Sequence, residues 1–299
     1  GSVAYDGVET PHGKVDRMLG GAGTFVALSA GLFTKVQLVA VVGGDFHEED
    51  EAVLRERDID LEGLERVPHG KTFFWRGVYS RDMNERTTLE TQLNVFADFK
   101  PDLPAAYRES PYLFLGNIHP ALQSGVRGQM AHARFVGGDT MNFWIEGEAE
   151  ALREAIRGWD FILINDGEAR LLSGEYNLRR AAEKIHKMGP HTVVIKRGEY
   201  GAILFRPEGY FVAPGFLLET VYDPTGAGDS FAGGFMGYLA EQGIDDIGFA
   251  SHGHLRKAMI YGSVMGSFCC EQFGVGRLRT LTRDEVERRF EEFRRFTEF

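Results

Sequence analysis

Short apolar runs alternate with stretches of helical spacing along most of the 299-residue chain. The apolar runs predict strands, and most of them are followed closely by Gly, Asn or Asp. They lie at residues 36–42, 112–115, 134–136, 161–164 and 192–195. A repeated succession of strand, turn and helix predicts a parallel sheet that is covered by helices on both faces. Ligands of such sheets bind at the carboxyl ends of the strands, where the connecting loops lie.

One stretch departs from this alternation and predicts a β-hairpin. Two extended runs, 71–80 and 87–96, are separated by a polar turn, and the first run is rich in aromatic residues. Its alternation leaves some apolar surface on both sides of the strand. We therefore expect a hairpin over about 71–96 that stands apart from the main sheet. The sequence leaves three roles open for this hairpin: simple packing on the main body, a lid over an active site, or a contact between subunits.

Composition narrows the function classes. The 44 acidic residues outnumber the 33 basic ones, and the net charge of -11 disfavours nucleic acid and anionic membrane surfaces as partners. The only two cysteines are adjacent, which fits a reducing, cytoplasmic location and provides no disulfide framework. No apolar run approaches the length of about 20 residues that spans a bilayer. The 38 glycines indicate backbone that turns tightly or approaches a ligand closely.

The strongest candidate for chemistry is the segment 223–229, Asp-Pro-Thr-Gly-Ala-Gly-Asp. A helix is expected to begin near Ala227, and the amides at a helix N-terminus form an anion site. Asp229 lies in the first turn, where a carboxylate beside a phosphate pocket can deprotonate an alcohol as it attacks a phosphoryl group. The alternative is a carboxylate that only interacts with the helix dipole.

This segment, continued by Ser-Phe-Ala-Gly-Gly at 230–234, resembles the C-terminal motif of the ribokinase (PfkB) family of carbohydrate and nucleoside kinases. The resemblance extends over nearly the whole chain. It implies a single ribokinase-like domain, 1–299, with three α/β/α layers, a mostly parallel central sheet and a small β lid. It further implies ATP as phosphoryl donor, Mg²⁺ as cofactor and a small-molecule hydroxyl as acceptor.

The resemblance assigns roles within the C-terminal motif. Asp229 is implied as the catalytic base, and the amides of Gly226, Ala227 and Gly228 as the anion hole for the transferred phosphoryl group. Thr225 is implied to line the nucleotide phosphate site.

Near the start of the chain, Gly20-Gly21 before a helix is similar to the family turn that lies against the sugar. Asp6 matches the acidic residue of the first strand that binds substrate hydroxyls. Phe25 stands where the family usually carries an Asn that touches the sugar, and an aromatic ring lacks the donor and acceptor groups of that Asn. Asn117 or His119 is a candidate substitute.

Further positions match the nucleotide side of the family site. The implied nucleotide-binding residues are Asn165, Lys196, Gly198, Gly201 and Ser263. Glu168 completes an Asn-x-x-Glu motif that is associated with magnesium, and we expect it to contact the ion through water. Lys196 replaces a frequent Thr, and Ser263 occupies the place of an Asn near the adenine.

We therefore expect an ATP-dependent kinase that acts on a sugar or sugar-like substrate. A nucleoside kinase of the adenosine, inosine or cytidine type is the alternative, because Phe25 and the aromatic hairpin could stack a base. A nucleotide-binding sensor without catalysis and an ADP-dependent donor are further alternatives. The aromatic hairpin also makes a homodimer through the β lid an expectation.

Overall fold

The computed structural model describes residues 1–130, 132–246 and 251–298. The chain forms two compact units, the first from Gly1–Lys100, Phe216–Glu241 and Ile260–Phe299, and the second from Pro101–Gly215 and Gln242–Met259. Among the helices that the structure describes, none combines the length and the apolar character that crossing a membrane requires.

The first unit contains two small sheets and most of the helices near the chain termini. Its strands are β1 (Ala4–Thr10), β2 (Gly13–Gly20), β3 (Ala40–Gly43), β4 (Leu64–Val67), β5 (Phe73–Tyr79) and β6 (Arg86–Gln92). Its helices among the first hundred residues are α1 (Ala22–Ala30) and α2 (Glu48–Glu56).

The second unit alternates strands and helices. Its strands are β7 (Tyr112–Leu115), β8 (Phe135–Gly138), β9 (Phe161–Asn165), β10 (Thr192–Lys196), β11 (Ala202–Arg206) and β12 (Gly209–Ala213). Its helices are α3 (Pro120–Gln129), α4 (Asn142–Gly147), α5 (Ala149–Arg157), α6 (Asp166–Ser173) and α7 (Leu178–His186).

Four helices follow in the C-terminal third. They are α8 (Ala227–Glu241), α9 (His252–Cys269), α10 (Gly276–Thr280) and α11 (Arg283–Thr297). Helix α9 has residues in both units, and the other three belong to the first. The capping box of Thr282 and Glu285 that starts α11 is present, as the sequence predicts.

The six-stranded sheet of the second unit has the order β12-β11-β10-β9-β8-β7. Strands β7 to β10 pair in parallel, and β11 and β12 add an antiparallel edge. Buried apolar residues fill β9 and β10, which is the composition expected of strands covered on both faces. The parallel sheet predicted from the alternating pattern is therefore present here.

The predicted hairpin exists and lies outside the six-stranded sheet, as expected, but its second strand is shorter than predicted. It belongs to a separate four-stranded sheet, β2-β1-β5-β6, in which β5 pairs in parallel with β1. Its second strand ends at Gln92, and Asn94–Asp98 forms a short 3₁₀ helix instead of continuing the strand. Below, "the hairpin" means β5 and β6 with their connecting turn. In the run 36–42, the strand begins only at Ala40, and Gln37 forms an isolated parallel β-bridge with Asp60.

Helix α8 begins at Ala227, as predicted, but it is buried on all sides rather than amphipathic. Its glycines allow close packing inside the first unit. A Cβ atom at Gly233 would lie 2.5 Å from the carbonyl oxygen of Val26 in α1, and one at Gly237 would lie 3.0 Å from the Cα of Ala30. The backbones of α1 and α8 approach each other at these points, so larger residues would separate the two helices.

Candidate active site

The turn before α8 is fixed by the side chain of Asp223. This carboxylate is fully buried, and it accepts hydrogen bonds from the amides of Thr225 and Gly274, each at 2.9 Å. Burial raises the pKa of Asp223 above its ordinary value. The thiol of Cys269 donates to the carbonyl oxygen of Thr225 at 3.2 Å. The Asp223 side chain and the Thr225 carbonyl oxygen thus both hold the turn in place through hydrogen bonds within the first unit.

Gly226 is the residue that this turn requires. Its φ is +80°, and a Cβ atom there would lie 2.4–2.5 Å from three ring atoms of Phe25. Only glycine avoids both the strain and the overlap. Phe25 itself is 1% exposed. Its ring therefore supports the turn from inside, and the expectation that it stacks on a substrate base does not agree with this burial.

The N-terminus of α8 carries the residues that the sequence assigns to the anion hole and the base. Asp229 lies in the first turn and is half-buried. The amide of Ala227 donates to the carbonyl oxygen of Pro224 at 3.1 Å, so an anion would compete for this donor. The partial positive charge of a helix N-terminus favours an anion at this end.

Asp6, Gly20 and Gly21 come together on neighbouring strands of the first unit. The Oδ2 atom of Asp6 accepts a hydrogen bond from the amide of Gly21 at 3.3 Å. A Cβ atom at Gly20 would lie 2.0 Å from that same oxygen, so only glycine leaves room for the carboxylate. Gly21 has a φ of +90°, which also favours glycine.

The pKa of Asp6, in the N-terminal motif, is affected by charged residues of the C-terminal motif. Burial raises the pKa of Asp6 to about 7; the amide of Gly21 and the charge of Arg86 oppose this rise, and the charges of Asp223 and Asp229 add to it. These charge interactions relate Asp6 to Asp223 and Asp229, and the three residues are called the acidic centre below. The acidic centre contains both the hydroxyl-binding candidate and the base candidate.

Two hairpin residues reach this centre, and sequence reasoning missed both. The Oγ1 atom of Thr225 donates to the hydroxyl oxygen of Tyr79 at 3.1 Å. Tyr79 pairs in register with Arg86, whose charge acts on its hydroxyl. Burial raises the pKa of Tyr79 to about 12, so the phenol stays neutral. The signal available in the sequence was only that the hairpin is aromatic.

In the second unit, the Asn165 and Glu168 motif forms a capping box at the start of α6. The side chain of Asn165 accepts from the amide of Glu168 at 2.7 Å, and the Glu168 carboxylate accepts from the amide of Asn165 at 2.8 Å. Lys196 is the register partner of Asn165 on the neighbouring parallel strand. The ends of β9 and β10 therefore place these candidates side by side.

Gly198 and Gly201 follow β10 in the second unit. Their φ values are +57° and +83°, and a Cβ atom at Gly201 would lie 2.1 Å from the carbonyl oxygen of Ala213. Both positions require glycine for the tight connection to β11. Ser263 lies in α9 and is half-buried in the first unit.

Asn117 is engaged within the second unit. The indole of Trp144 donates to its Oδ1 atom at 2.9 Å, and its Nδ2 atom donates to the sulfur of Met141 at 3.2 Å. His119 caps the N-terminus of α3 through the amide of Ala121. These contacts give both residues a structural role, and a substrate contact by Asn117 would have to replace them.

Among the described residues, no group of three or more His, Cys, Asp or Glu side chains is placed to hold a metal ion. Magnesium bound through nucleotide phosphates and water needs fewer protein ligands, and a single carboxylate such as Glu168 fits that chemistry.

Solved structures define the class of protein to which this fold belongs. The chain superposes on the nucleoside kinase of Methanocaldococcus jannaschii, described as an archaeal member of the ribokinase family, with a TM-score of 0.76 and 19% identity. That match covers 98% of this chain and 96% of the other. A nucleoside kinase of Burkholderia thailandensis in complex with inosine gives 0.73 at 22% identity, over 98% and 96%. The predicted ribokinase-like α/β fold is confirmed.

Residues 5–281 match the family model described as pfkB family carbohydrate kinase, and the chain belongs to this family. It is 30% identical over 251 residues to a cytidine kinase of Thermococcus kodakarensis, covering 82% of this chain and 89% of that protein. It is 26% identical over 264 residues to an ATP-dependent ribose-1-phosphate kinase of Halopiger xanaduensis, covering 85% and 81%. The protein is thus an ATP-dependent phosphotransferase that acts on an alcohol group of a sugar or nucleoside, as the sequence predicts.

Proposed function

We propose that the protein transfers the terminal phosphoryl group of ATP to a ribose hydroxyl of a nucleoside, with Asp229 as general base. The observation that carries this proposal is the acidic centre of the first unit. Asp6 lies beside the Gly20-Gly21 turn, and Asp229 lies at the N-terminus of α8, close enough for its charge to raise the pKa of Asp6. This supports Asp6 as the acceptor of hydrogen bonds from substrate hydroxyls and Asp229 as the acceptor of the proton of the attacking hydroxyl.

The proposed step conserves atoms and charge. The acceptor hydroxyl gives its proton to the Asp229 carboxylate and forms a bond to the phosphorus atom, while the bond from that phosphorus to the bridging oxygen of ADP breaks. The amides of Gly226, Ala227 and Gly228 stabilise the charge on the phosphoryl oxygens. Asp6 orients the acceptor through its other hydroxyls, which requires its ionised form.

The residues proposed to bind the nucleotide are those that match the nucleotide-binding positions of the family. They are Asn165, Lys196, Gly198 and Gly201 of the second unit with Thr225 and Ser263 of the first. Mg²⁺ is proposed to accompany ATP and to neutralise phosphate charge, and Glu168 to bind one of its water ligands.

The relatives favour a nucleoside as acceptor over the simple sugar preferred from the sequence. The cytidine kinase matches at 30% identity over most of both chains. The ribose-1-phosphate kinase at 26% identity supports the alternative of a phosphorylated ribose. Both acceptors present ribose hydroxyls, which suits the arrangement of Asp6 and Gly20.

An acceptor panel tests the proposal. Purified protein is incubated with Mg-ATP and, separately, with cytidine, inosine, ribose and ribose 1-phosphate, and ADP release is measured above the rate without acceptor. We expect the highest kcat/KM with a nucleoside. Preference for free ribose would instead support the prediction from sequence that the protein is a sugar kinase. Binding of ATP without turnover on any acceptor would favour the sensor.

We also propose that two copies associate through the hairpin and that the protein works in the cytoplasm. Strand β6 is the edge of its sheet, all seven of its side chains are exposed, and Leu89 is 57% exposed. An apolar side chain on an exposed edge strand is a common contact point. Leu89→Lys is expected to shift the solution mass from dimer to monomer, whereas Leu171→Lys, at an exposed leucine of α6, is the control.

Both cysteines are free thiols, in keeping with a reducing compartment.

A further inference from the structure

The turn before α8 contains a peptide group that the turn alone allows to point in two directions. The amide of Ala227 donates to the carbonyl oxygen of Pro224 at 3.1 Å, which closes a β-turn. Gly226, the third residue of this turn, has a φ of +80°, which is typical of a type II turn. A type I turn joins the same ends with its central peptide rotated by roughly half a turn. In this chain, the central peptide is the one between Thr225 and Gly226.

The direction of this peptide decides where the Gly226 amide points. In a trans peptide, the C=O and N–H groups point in opposite directions. If the carbonyl oxygen of Thr225 turned to the other side, the amide of Gly226 would turn with it. That amide is one of those proposed to stabilise the transferred phosphoryl group, and such a donor is effective when it is already aimed at the developing charge. A contact that holds the Thr225 carbonyl oxygen therefore aims the Gly226 amide.

The side chain of Cys269 makes such a contact. Its thiol is fully buried and donates to the Thr225 carbonyl oxygen at 3.2 Å. Burial raises the pKa of this thiol well above its ordinary value, so the sulfur keeps the proton that it donates. Thr225 also bonds through its amide to Asp223 and through its Oγ1 atom to Tyr79. Those two bonds hold the residue itself, whereas the thiol holds the peptide that follows it.

Cys269 is placed beside the turn by the packing of α9. It is the last residue of this helix, and a Cβ atom at Gly266 would lie 3.1 Å from the carbonyl oxygen of Ala227. The backbone of α9 therefore approaches the start of α8 closely. The carbonyl oxygen of Cys270 accepts from the amide of Tyr222 at 2.8 Å, which joins the end of α9 to the chain just before the turn. The thiol thus has a fixed position next to the turn.

We propose that Cys269 is a positioning residue, whose thiol keeps the Thr225–Gly226 peptide in its type II direction and thereby aims the Gly226 amide at the phosphoryl group. This inference rests on the proposed function for the role of the Gly226 amide. Without the thiol, the turn divides between two forms, and only one of them presents the amide.

Two variants separate the hydrogen-bond donor from the packing of this side chain. Cys269→Ala removes the thiol, whereas Cys269→Ser keeps a donor at the same position. Cys270→Ala is the matched control, because the hydrogen bond of Cys270 to Tyr222 comes from its backbone. Thermal melts check folding. If Cys269→Ala does not fold, Cys269→Val and Cys269→Thr provide the same comparison, since they differ by a hydroxyl at similar size.

We expect Cys269→Ala to lower kcat with Mg-ATP and the best acceptor of the panel by roughly 3- to 10-fold, as the loss of one net hydrogen bond implies. The acceptor KM should not change. Cys269→Ser should recover most of the loss, and Cys270→Ala should match the unmodified protein. An equal loss in Cys269→Ala and Cys269→Ser, or a normal kcat in Cys269→Ala, overturns the inference and leaves the proposed function intact.

A binding measurement separates this inference from the proposed function. Tripolyphosphate binding is measured by calorimetry without any acceptor, and Cys269→Ala is expected to bind roughly 3- to 10-fold more weakly than Cys269→Ser. If the unmodified protein phosphorylates no acceptor but the two variants differ in this way, the proposed function fails and the inference stands. Equal binding by both variants, together with equal rates, overturns the inference.

Discussion

Thr225 donates a hydrogen bond from its Oγ1 atom to the hydroxyl oxygen of Tyr79 at 3.1 Å, joining the turn before α8 to the hairpin. The two residues are far apart in sequence, one in the segment 223–229 and the other at the end of β5. The hairpin is therefore connected to the proposed phosphoryl-transfer site by a specific polar contact. Of the alternatives left open by the sequence, this contact supports a hairpin that takes part in the site.

The first prediction concerns this contact. Tyr79→Phe removes the acceptor of the Thr225 hydroxyl, so we expect kcat/KM for Mg-ATP to fall roughly 3- to 10-fold, as one net hydrogen bond implies. Steady-state kinetics at saturating acceptor provide the measurement. Tyr210→Phe, at an exposed tyrosine of β12, is the control. Equal activity of the two variants would count against a role of the contact.

The second prediction concerns Gly20. An alanine Cβ at this position would overlap the Oδ2 atom of Asp6, so Gly20→Ala should displace the carboxylate and raise the acceptor KM by about tenfold or more. The dissociation constant for ATP should stay unchanged. Gly125→Ala is the matched control, because a Cβ atom there meets nothing within 4 Å. An unchanged acceptor KM in Gly20→Ala would remove Asp6 from the acceptor site.

The third prediction concerns Gly226 and the ring beneath it. Gly226→Ala places a methyl group against Phe25 and forces an unfavourable φ, so kcat should fall roughly 10²-fold through distortion of the proposed anion hole. The double variant Phe25→Ala with Gly226→Ala removes the overlap but not the strain. It should therefore recover part of kcat. If the single variant turns over at the normal rate, the turn is not the site of phosphoryl transfer.

The fourth prediction concerns pH and Asp6. Its pKa of about 7 in the folded protein lies above its ordinary value of 3.8, so between these values the folded state binds a proton that the unfolded chain has lost. The free energy of unfolding should therefore fall as pH rises toward 7, by up to about 2 kcal/mol between pH 5.5 and 8. Urea unfolding at both pH values measures this. Asp6→Asn should lack this component, and an identical pH dependence in both proteins would contradict it.

The same ionisation has a kinetic consequence. The ionised form of Asp6 offers both carboxylate oxygens as full acceptors, whereas protonation turns one of them into a donor, so acceptor binding should weaken as pH falls below about 7.

The alternating strands and helices and the start of α8 could be predicted from sequence because they depend on local patterns. Strand β9 and helix α5 are examples, with apolar residues in the expected positions. Strand β2 was missed, since only its last two residues are buried and its pattern is mostly polar. The pairing of β5 with β1 was missed because register between distant strands leaves no local signal.

The residues of the candidate site likewise divide into those that a local sequence pattern predicts and those that depend on contacts between distant parts of the chain. The motif around Asp229 and the glycines at positions 20 and 21 could be found because special backbone and helix ends restrict residue type. Arg86 could not be found, because its relation to Asp6 arises only when β6 is added to the sheet. The buried position of Phe25 was also hidden, since it depends on the approach of Gly226 from the other end of the chain.

In the proposed function, Asp229 removes the proton of the attacking hydroxyl. The most direct measurement compares the turnover of Asp229→Asn with that of the unmodified protein, using Mg-ATP and the best nucleoside acceptor and following the phosphorylated product. We expect a loss of roughly 10²- to 10⁴-fold, the range for removal of a general base, with ATP affinity retained. Turnover of Asp229→Asn at the unmodified rate would contradict the account.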